Sequence, residues 1–330
     1  RDPEEITFME PQAGGACRAG NIYNLLQRVL YRMVEQGQLE YAQIPVISLN
    51  LMGEEKHTGF RITPSLLSGG IAAGCYGDLI MCLYQQVKPY EQNPGETDRI
   101  RSQVEKKLCE SIRRHRNGRH TREKNYRYAC EVFSKVPVKP GKKKRVGITG
   151  EIYMKYSKLG NDDIESFLLR QGMEPYSGGF INYCLYLVDT ERYKAEKYQR
   201  NPIMAKACAF VLHRLCEAQK HLLTVIGETD RFQTDLPFPE LKEKVQGILA
   251  EGCNTGDGWL IAAEVIQYVE KGCGSVLILH PFGCLVSHVC ERGILQRLHA
   301  RFPDVSIQTI EYDYDQSKTL RESRILLAIS

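Results

Sequence analysis

Apolar and polar positions follow two periods along the chain, and each change of period marks an element. Residues 276–279, Val-Leu-Ile-Leu, form a short apolar run rich in β-favouring side chains, the pattern of a strand buried on both faces. Pro281 and Gly283 stop the run, and from Val286 the spacing turns helical through Val289, Leu295 and Leu298. A further strand over 305–312 and a last helix from about Leu320 complete a strand–helix–strand–helix series. Such a series argues for a parallel sheet with right-handed crossovers.

The same reading covers the rest of the chain. A glycine-rich loop leads to a helix whose apolar face is Ile22, Leu25, Leu26, Val29 and Met33. Residues 44–50 read as a strand, with Pro45 confined to an edge or first position because it has no N–H to donate. A helix over 65–87 starts with small residues, and its Cys75 and Cys82, seven apart, share one core-facing side. Residues 96–134 keep a stripe of Ile100, Val104, Leu108 and Ile112 under many charges, with a break near Asn117-Gly118. Pro137-Val-Lys-Pro-Gly-Lys-Lys-Lys-Arg reads as a boundary. Beyond it come a strand from Val146, a helix capped by Asn161-Asp-Asp and ending at Gly172, and a β-like stretch near 180–186. Mostly helical pattern then fills 190–250, and another helix runs from Trp259 to Gly272.

The fold class expected is therefore α/β, as two flavodoxin-like, doubly wound and mostly parallel units with an intervening helical segment. Residues 1–136 would form the first unit with a basic helical extension and 137–145 a linker. Residues 146–330 would form the second unit, with a helical insertion at about 190–250.

Composition narrows the function classes. The net charge is +4, from 44 basic and 40 acidic residues, too small to imply a polyanion partner. The basic positions between 96 and 134 are interspersed with acids and have only Tyr126 and Tyr128 as aromatics, so they read as a solvated face and not a nucleic-acid surface. No apolar run approaches the ~20 residues of a membrane span. Gly69, Gly70 and Gly74 are not followed by Gly-Lys-Ser/Thr, so they make no phosphate loop. The 12 cysteines include no Cys-x-x-Cys. Without an export pattern they suggest free thiols in a reducing cytoplasm. The chain opens without Met, close to a glycine-rich loop, and reads as a piece of something longer.

Two thiols stand out by position. Cys284 falls at the carboxyl end of a strand just before a helix, the edge where open α/β sheets bind ligands. Cys17 falls near the amino end of a helix, among Gly14, Gly15 and Gly20, where unpaired N–H groups favour a thiolate. Each could be a metal ligand, a nucleophile or an ordinary small residue. His280 and His288 flank Cys284, which raises a Cys/His nucleophilic pair, but residues this placed in a loop need not meet and no third orienting group is evident. Cys290, six positions on, would point elsewhere on a continuous helix. Glu151 sits where a functional carboxylate or a helix cap could, and Glu264 reads as a helix-surface charge.

Taken jointly, several stretches resemble the carboxy-terminal part of the large CoA-substrate-specific enzyme activases, relatives of 2-hydroxyacyl-CoA dehydratase activators and double-cubane-cluster proteins. They are Gly15-Ala-Cys-Arg-Ala-Gly-Asn, Val46-Ile-Ser-Leu-Asn, Tyr76-Gly-Asp-Leu-Ile-Met, Lys88-Pro-Tyr-Glu, Val146-Gly-Ile-Thr-Gly-Glu, Gly258-Trp-Leu, Pro281-Phe-Gly-Cys-Leu and Ile310-Glu-Tyr-Asp. The resemblance implies that Cys17 and Cys284 each give a thiolate to a [4Fe–4S] cluster. It implies further ligands from an upstream segment of the same protein, and an anaerobe's cytoplasm as the setting. An acyl-CoA dehydratase or similar reductase would be the partner, and a homodimer is compatible with it. The family's ATP-binding modules have no counterpart here. The sequence departs from the family at Ala16, Ala19, Val286 and Ser287, where the pattern has Pro, Phe, Pro and Asn. The rival expectation is a structural or interaction domain without a cluster.

Overall fold

The computed structural model describes residues 8–11, 17, 21–39, 46–49, 63–198 and 201–330. The chain divides into two compact units, Arg1–Ile62 with Gly283–Leu285, and Thr63–Phe282 with Val286–Ser330. In the first unit, strands β1 (Phe8–Pro11) and β2 (Val46–Leu49) pair in parallel, Phe8 opposite Val46. Helix α1 (Ile22–Glu35) lies between them in sequence, as a parallel crossover requires. Gly14, Gly15 and Gly20, expected to let the backbone approach a ligand, lie outside the described residues.

The second unit is built on four parallel strands in the order β4 (Glu174–Tyr176), β3 (Arg145–Gly150), β5 (Ser275–Pro281), β6 (Ser306–Tyr312). Alternation along β5 explains why both faces are covered. Val276 and Ile278 join one apolar cluster, and Leu277 and Leu279 join another. The smaller cluster packs α5 (Ile152–Tyr156), α6 (Ile164–Arg170) and α12 (Lys318–Ile329) on one face through Met154, Phe167, Leu168 and Ile325. The larger holds α2 (Pro64–Val87), α3 (Glu96–Arg113), α4 (Arg119–Ser134), α7 (Phe180–Lys197), α8 (Pro202–Gly227), α9 (Phe238–Glu243) and α10 (Gly258–Glu270). Helix α11 (Leu295–Arg301) precedes β6.

The mixed α/β architecture with an all-parallel sheet is present; the division of the chain falls elsewhere than expected. Helices α2, α3 and α4 share a core with the sheet's own helices, Leu79, Val104 and Phe133 clustering with Leu185, Trp259 and Val276. The apolar stripe on 96–112 therefore closes the second unit's core. Residues 137–145 lie inside that unit, leading into β3. Ser65–Tyr90 is long and apolar enough, by length and composition, to cross a membrane. Its Ala72, Cys75, Leu79, Leu83 and Val87 are all buried in this core. Several basic side chains of α3 and α4 and their carboxyl ends pair with acids one turn away on the same helix, as in Arg101–Glu105, Arg114–Glu110 and Lys135–Glu131, and Arg127 also reaches Glu228.

One element is corrected. Residues 180–186, expected as β-like, open helix α7, and the strand lies earlier, at Glu174–Tyr176. The Asp78 carboxylate accepts hydrogen bonds from the Phe180 and Ile181 amides at 2.7 and 3.0 Å. These satisfy orphan N–H groups of the first turn, a cap supplied from a distant helix and invisible to local pattern.

Candidate functional site

In the order β4-β3-β5-β6, the chain leaves β3 to one side and later returns on its other side. The reversal lies between β3 and β5, and in open α/β sheets the crevice outside the carboxyl ends at such a point is the usual ligand position. Gly150 ends β3 with φ +131°, and a Cβ there would stand 2.0 Å from the Leu279 carbonyl oxygen. Only glycine lets the two strand ends come so close. Glu151 then donates its amide to that Leu279 carbonyl at 2.8 Å.

At the end of β5, Pro281 is followed by Phe282, whose amide donates to the Tyr312 carbonyl at 2.8 Å, and by Gly283 at φ +71°. Cys284 comes next and is half-buried. It groups with Arg1–Ile62 in the first unit. Cys17, also in that unit, is exposed. Cys290 is buried and belongs to the second unit, inside a π-helical turn at Ser287–Glu291. A single extra residue in a helical turn of this kind re-aims side chains and often marks functional positions.

The two histidines that flank Cys284 pack against each other. His280 and His288 lie edge to face with centroids 5.7 Å apart. Glu311, opposite His280 in the β5–β6 register, accepts a hydrogen bond from Arg292 at 2.9 Å and stands 3.9 Å from each imidazole. His280 is fully buried, and that burial lowers its pKa. Its Nδ1 lies 3.4 Å from the Pro281 carbonyl, an acceptor only, so Nδ1 carries the proton and Nε2 accepts from Arg292. His280 lies near the end of β5 and His288 in the π-helical turn.

Beside this, three carboxylates crowd the amino end of α5. Glu151 caps it, accepting from the Met154 amide at 3.0 Å, and burial raises its pKa. Asp257, just before α10, is raised well above the ordinary range by burial, with Glu151, Glu291 and Glu264 adding to the effect. Glu291 is fully buried, with Ser287 its hydrogen-bonding neighbour. Burial pushes it up to about 8, so it holds its proton at neutral pH.

Glu264, expected on a helix surface, is 2% exposed. Both its oxygens accept from the Lys155 ammonium, at 2.7 and 2.8 Å, and Thr149 at the end of β3 donates a third bond at 2.6 Å. Helix α10 is buried from Gly258 to Tyr268, so a charge within that span faces protein. Nearby, Tyr156 donates to the Gly178 carbonyl, and the Gly178 amide donates to the Tyr268 hydroxyl. The sequence carries one signal for this network. From Gly258 to Tyr268, α10 is apolar on all sides except Glu264 and Gln267, and a helix apolar all round is a buried one.

Among the described residues, no three or more His, Cys, Asp or Glu side chains are grouped so as to hold a metal ion. Comparison with protein families, with curated proteins and with solved structures finds no match.

Proposed function

We propose that this chain is an iron–sulfur electron-transfer module in which Cys17 and Cys284 each supply a thiolate to a [4Fe–4S] cluster. The observation that carries the reading is the grouping of Gly283–Leu285 with Arg1–Ile62. Two thiols near opposite ends of the sequence thereby belong to one compact unit. The place of Cys284 in the sequence, just past the end of β5, supports it further. Two thiolates are half of a four-thiolate donor set, so the described residues do not by themselves fit a whole cluster. The remaining ligands would come from another segment of the same protein.

When bound, the cluster would carry one electron at low potential; the chain would hold the thiols and shield them from water. The acceptor would be an acyl-CoA dehydratase or a similar reductase, in the cytoplasm, with the chain alone or as a homodimer. The reading also takes both units as flavodoxin-like. The parallel pairing of β1 with β2 and the strand order of the second sheet support that.

The absence of a third converging ligand among the described residues favours a second reading, a structural or interaction domain that binds no cluster. Anaerobic reconstitution with iron and sulfide, with the segment that supplies the remaining ligands present, separates the two. The first reading expects iron and acid-labile sulfide bound to the chain, with broad visible absorption that Cys17→Ala and Cys284→Ala each abolish. A folded protein that stays colourless and iron-free establishes the second.

A further inference from the structure

Away from the cysteine loops, a cavity of about 230 Å³ opens in the second unit between α2, α3 and the segment that follows β3. Its floor reaches Lys155 and Ser177, which come just after β3 and β4, so it too lies at the carboxyl edge of the sheet. We propose that this cavity binds a small zwitterion, an α-amino acid with an uncharged, mostly apolar side chain. The proposal stands independently of the cluster.

The chemistry of the wall selects that class. The inner groups are already engaged. Lys155 donates to both Glu264 oxygens, Tyr156 to the Gly178 carbonyl and Ser177 to the Ile148 carbonyl. The groups with capacity left stand on the other walls. Arg101 uses Nε on Glu105 and lies 5.2 Å from the Tyr84 ring centroid. Its two terminal NH2 groups make no hydrogen bond with the described residues, and together they form a fork matched to a carboxylate. Glu165 accepts from Gln85 through one oxygen and keeps the other for an ammonium donor.

Most charges on the wall are already paired, Lys155 with Glu264, Arg101 Nε with Glu105 and Lys158 with Asp163. The capacity left is one donor fork, on Arg101, and one carboxylate oxygen, on Glu165. A lone anion would use only the first and a lone cation only the second; a zwitterion uses both. Ile80 and Met81 add apolar wall, suited to an aliphatic or thioether side chain. A cavity of about 150 Å³ takes benzene, so the present one has room for a few more heavy atoms, the size of leucine or methionine.

Gly77 provides the test. It lines the cavity in the middle of α2, and a Cβ built there meets nothing within 4 Å. Gly77→Leu should therefore fill the space without displacing backbone, while replacing a poor helix former with a good one. The measurement is calorimetric titration of the full chain with L-leucine and L-methionine. The controls are 3-methylbutylamine, 4-methylpentanoate and inorganic phosphate. The expected result is saturable binding of an amino acid, with the amine and the acid each weaker by about tenfold or more. Arg101→Gln should cost a similar factor. Gly77→Leu should abolish binding while circular dichroism and thermal midpoint show the protein still folded. No binding of either amino acid up to about 10 mM, tighter binding of phosphate than of either amino acid, or binding unchanged in Gly77→Leu overturns the proposal.

Discussion

At the scale of single residues, the buried Lys155–Glu264 pair shows how position decides the meaning of a charge. Both side chains are 3% exposed, and the pair persists because Thr149 and the bidentate geometry satisfy the carboxylate. Removing one partner strands the other charge in the interior, which costs about 3–5 kcal/mol. Lys155→Met alone should thus lower the denaturant midpoint sharply, and Lys155→Met with Glu264→Leu should recover part of the loss. Glu291 makes the opposite kind of prediction. Its carboxyl is raised from 4.5 to about 8, chiefly by burial, so the folded state binds a proton that the unfolded state has released between those values. Stability from this group is complete below pH 4.5, falls as pH rises, and levels off above pH 8. Asp78, raised to about 7 by burial, acts in the same direction. Glu291→Gln should flatten the decline between pH 5 and about pH 8, read from unfolding midpoints across pH. A slope unchanged in that variant would show that Glu291 is not the group responsible.

At the scale of elements, the junction of β3 and β5 is the most demanding point of the sheet. Gly150 adopts φ +131° with the Leu279 backbone where a side chain would go. Gly150→Ala should destabilise by at least about 3 kcal/mol, seen as a drop in urea midpoint, whereas an alanine at Gly77 should be neutral or stabilising. The strands and most helices were legible in advance because their apolar spacing is local. β5 was read from 276–279 and extends over Ser275–Pro281, and the break between α3 and α4 falls at the Asn117-Gly118 signal. What escaped local reading was set by partners far along the chain. The first turn of α7 is helical where Asp78 caps it from 102 positions away. Glu264 is interior because α10 is buried there and Thr149 and Lys155, more than 100 positions earlier, bond its carboxylate.

At the scale of the whole molecule, the two units differ in how much core they contain. Both large apolar clusters are made only of residues from the second unit. A chain lacking residues 1–62 should therefore keep the helical circular dichroism and near-ultraviolet signal of that unit. On the proposed function it should bind no iron, having lost Cys17. Loss of the cooperative transition on this deletion would show that the second unit depends on the first for stability. This deletion also separates the two functional proposals, since amino-acid binding should survive it.

By itself the sequence determined most strands and helices, β4 and the first turns of α7 excepted, and that the second half of the chain is a parallel α/β sheet. It also placed a thiol at the end of β5. All of these follow from residue spacing and from turn residues close to each element. Only the tertiary structure decided which helices share a core with that sheet, that Glu264 is an interior partner of Lys155, and that His280 and His288 touch. It also decided that the Cys284 loop groups with the amino-terminal unit. The reason is physical: such outcomes depend on desolvation and on contacts between residues tens to hundreds of positions apart, and periodicity within a window of a dozen residues carries no trace of them.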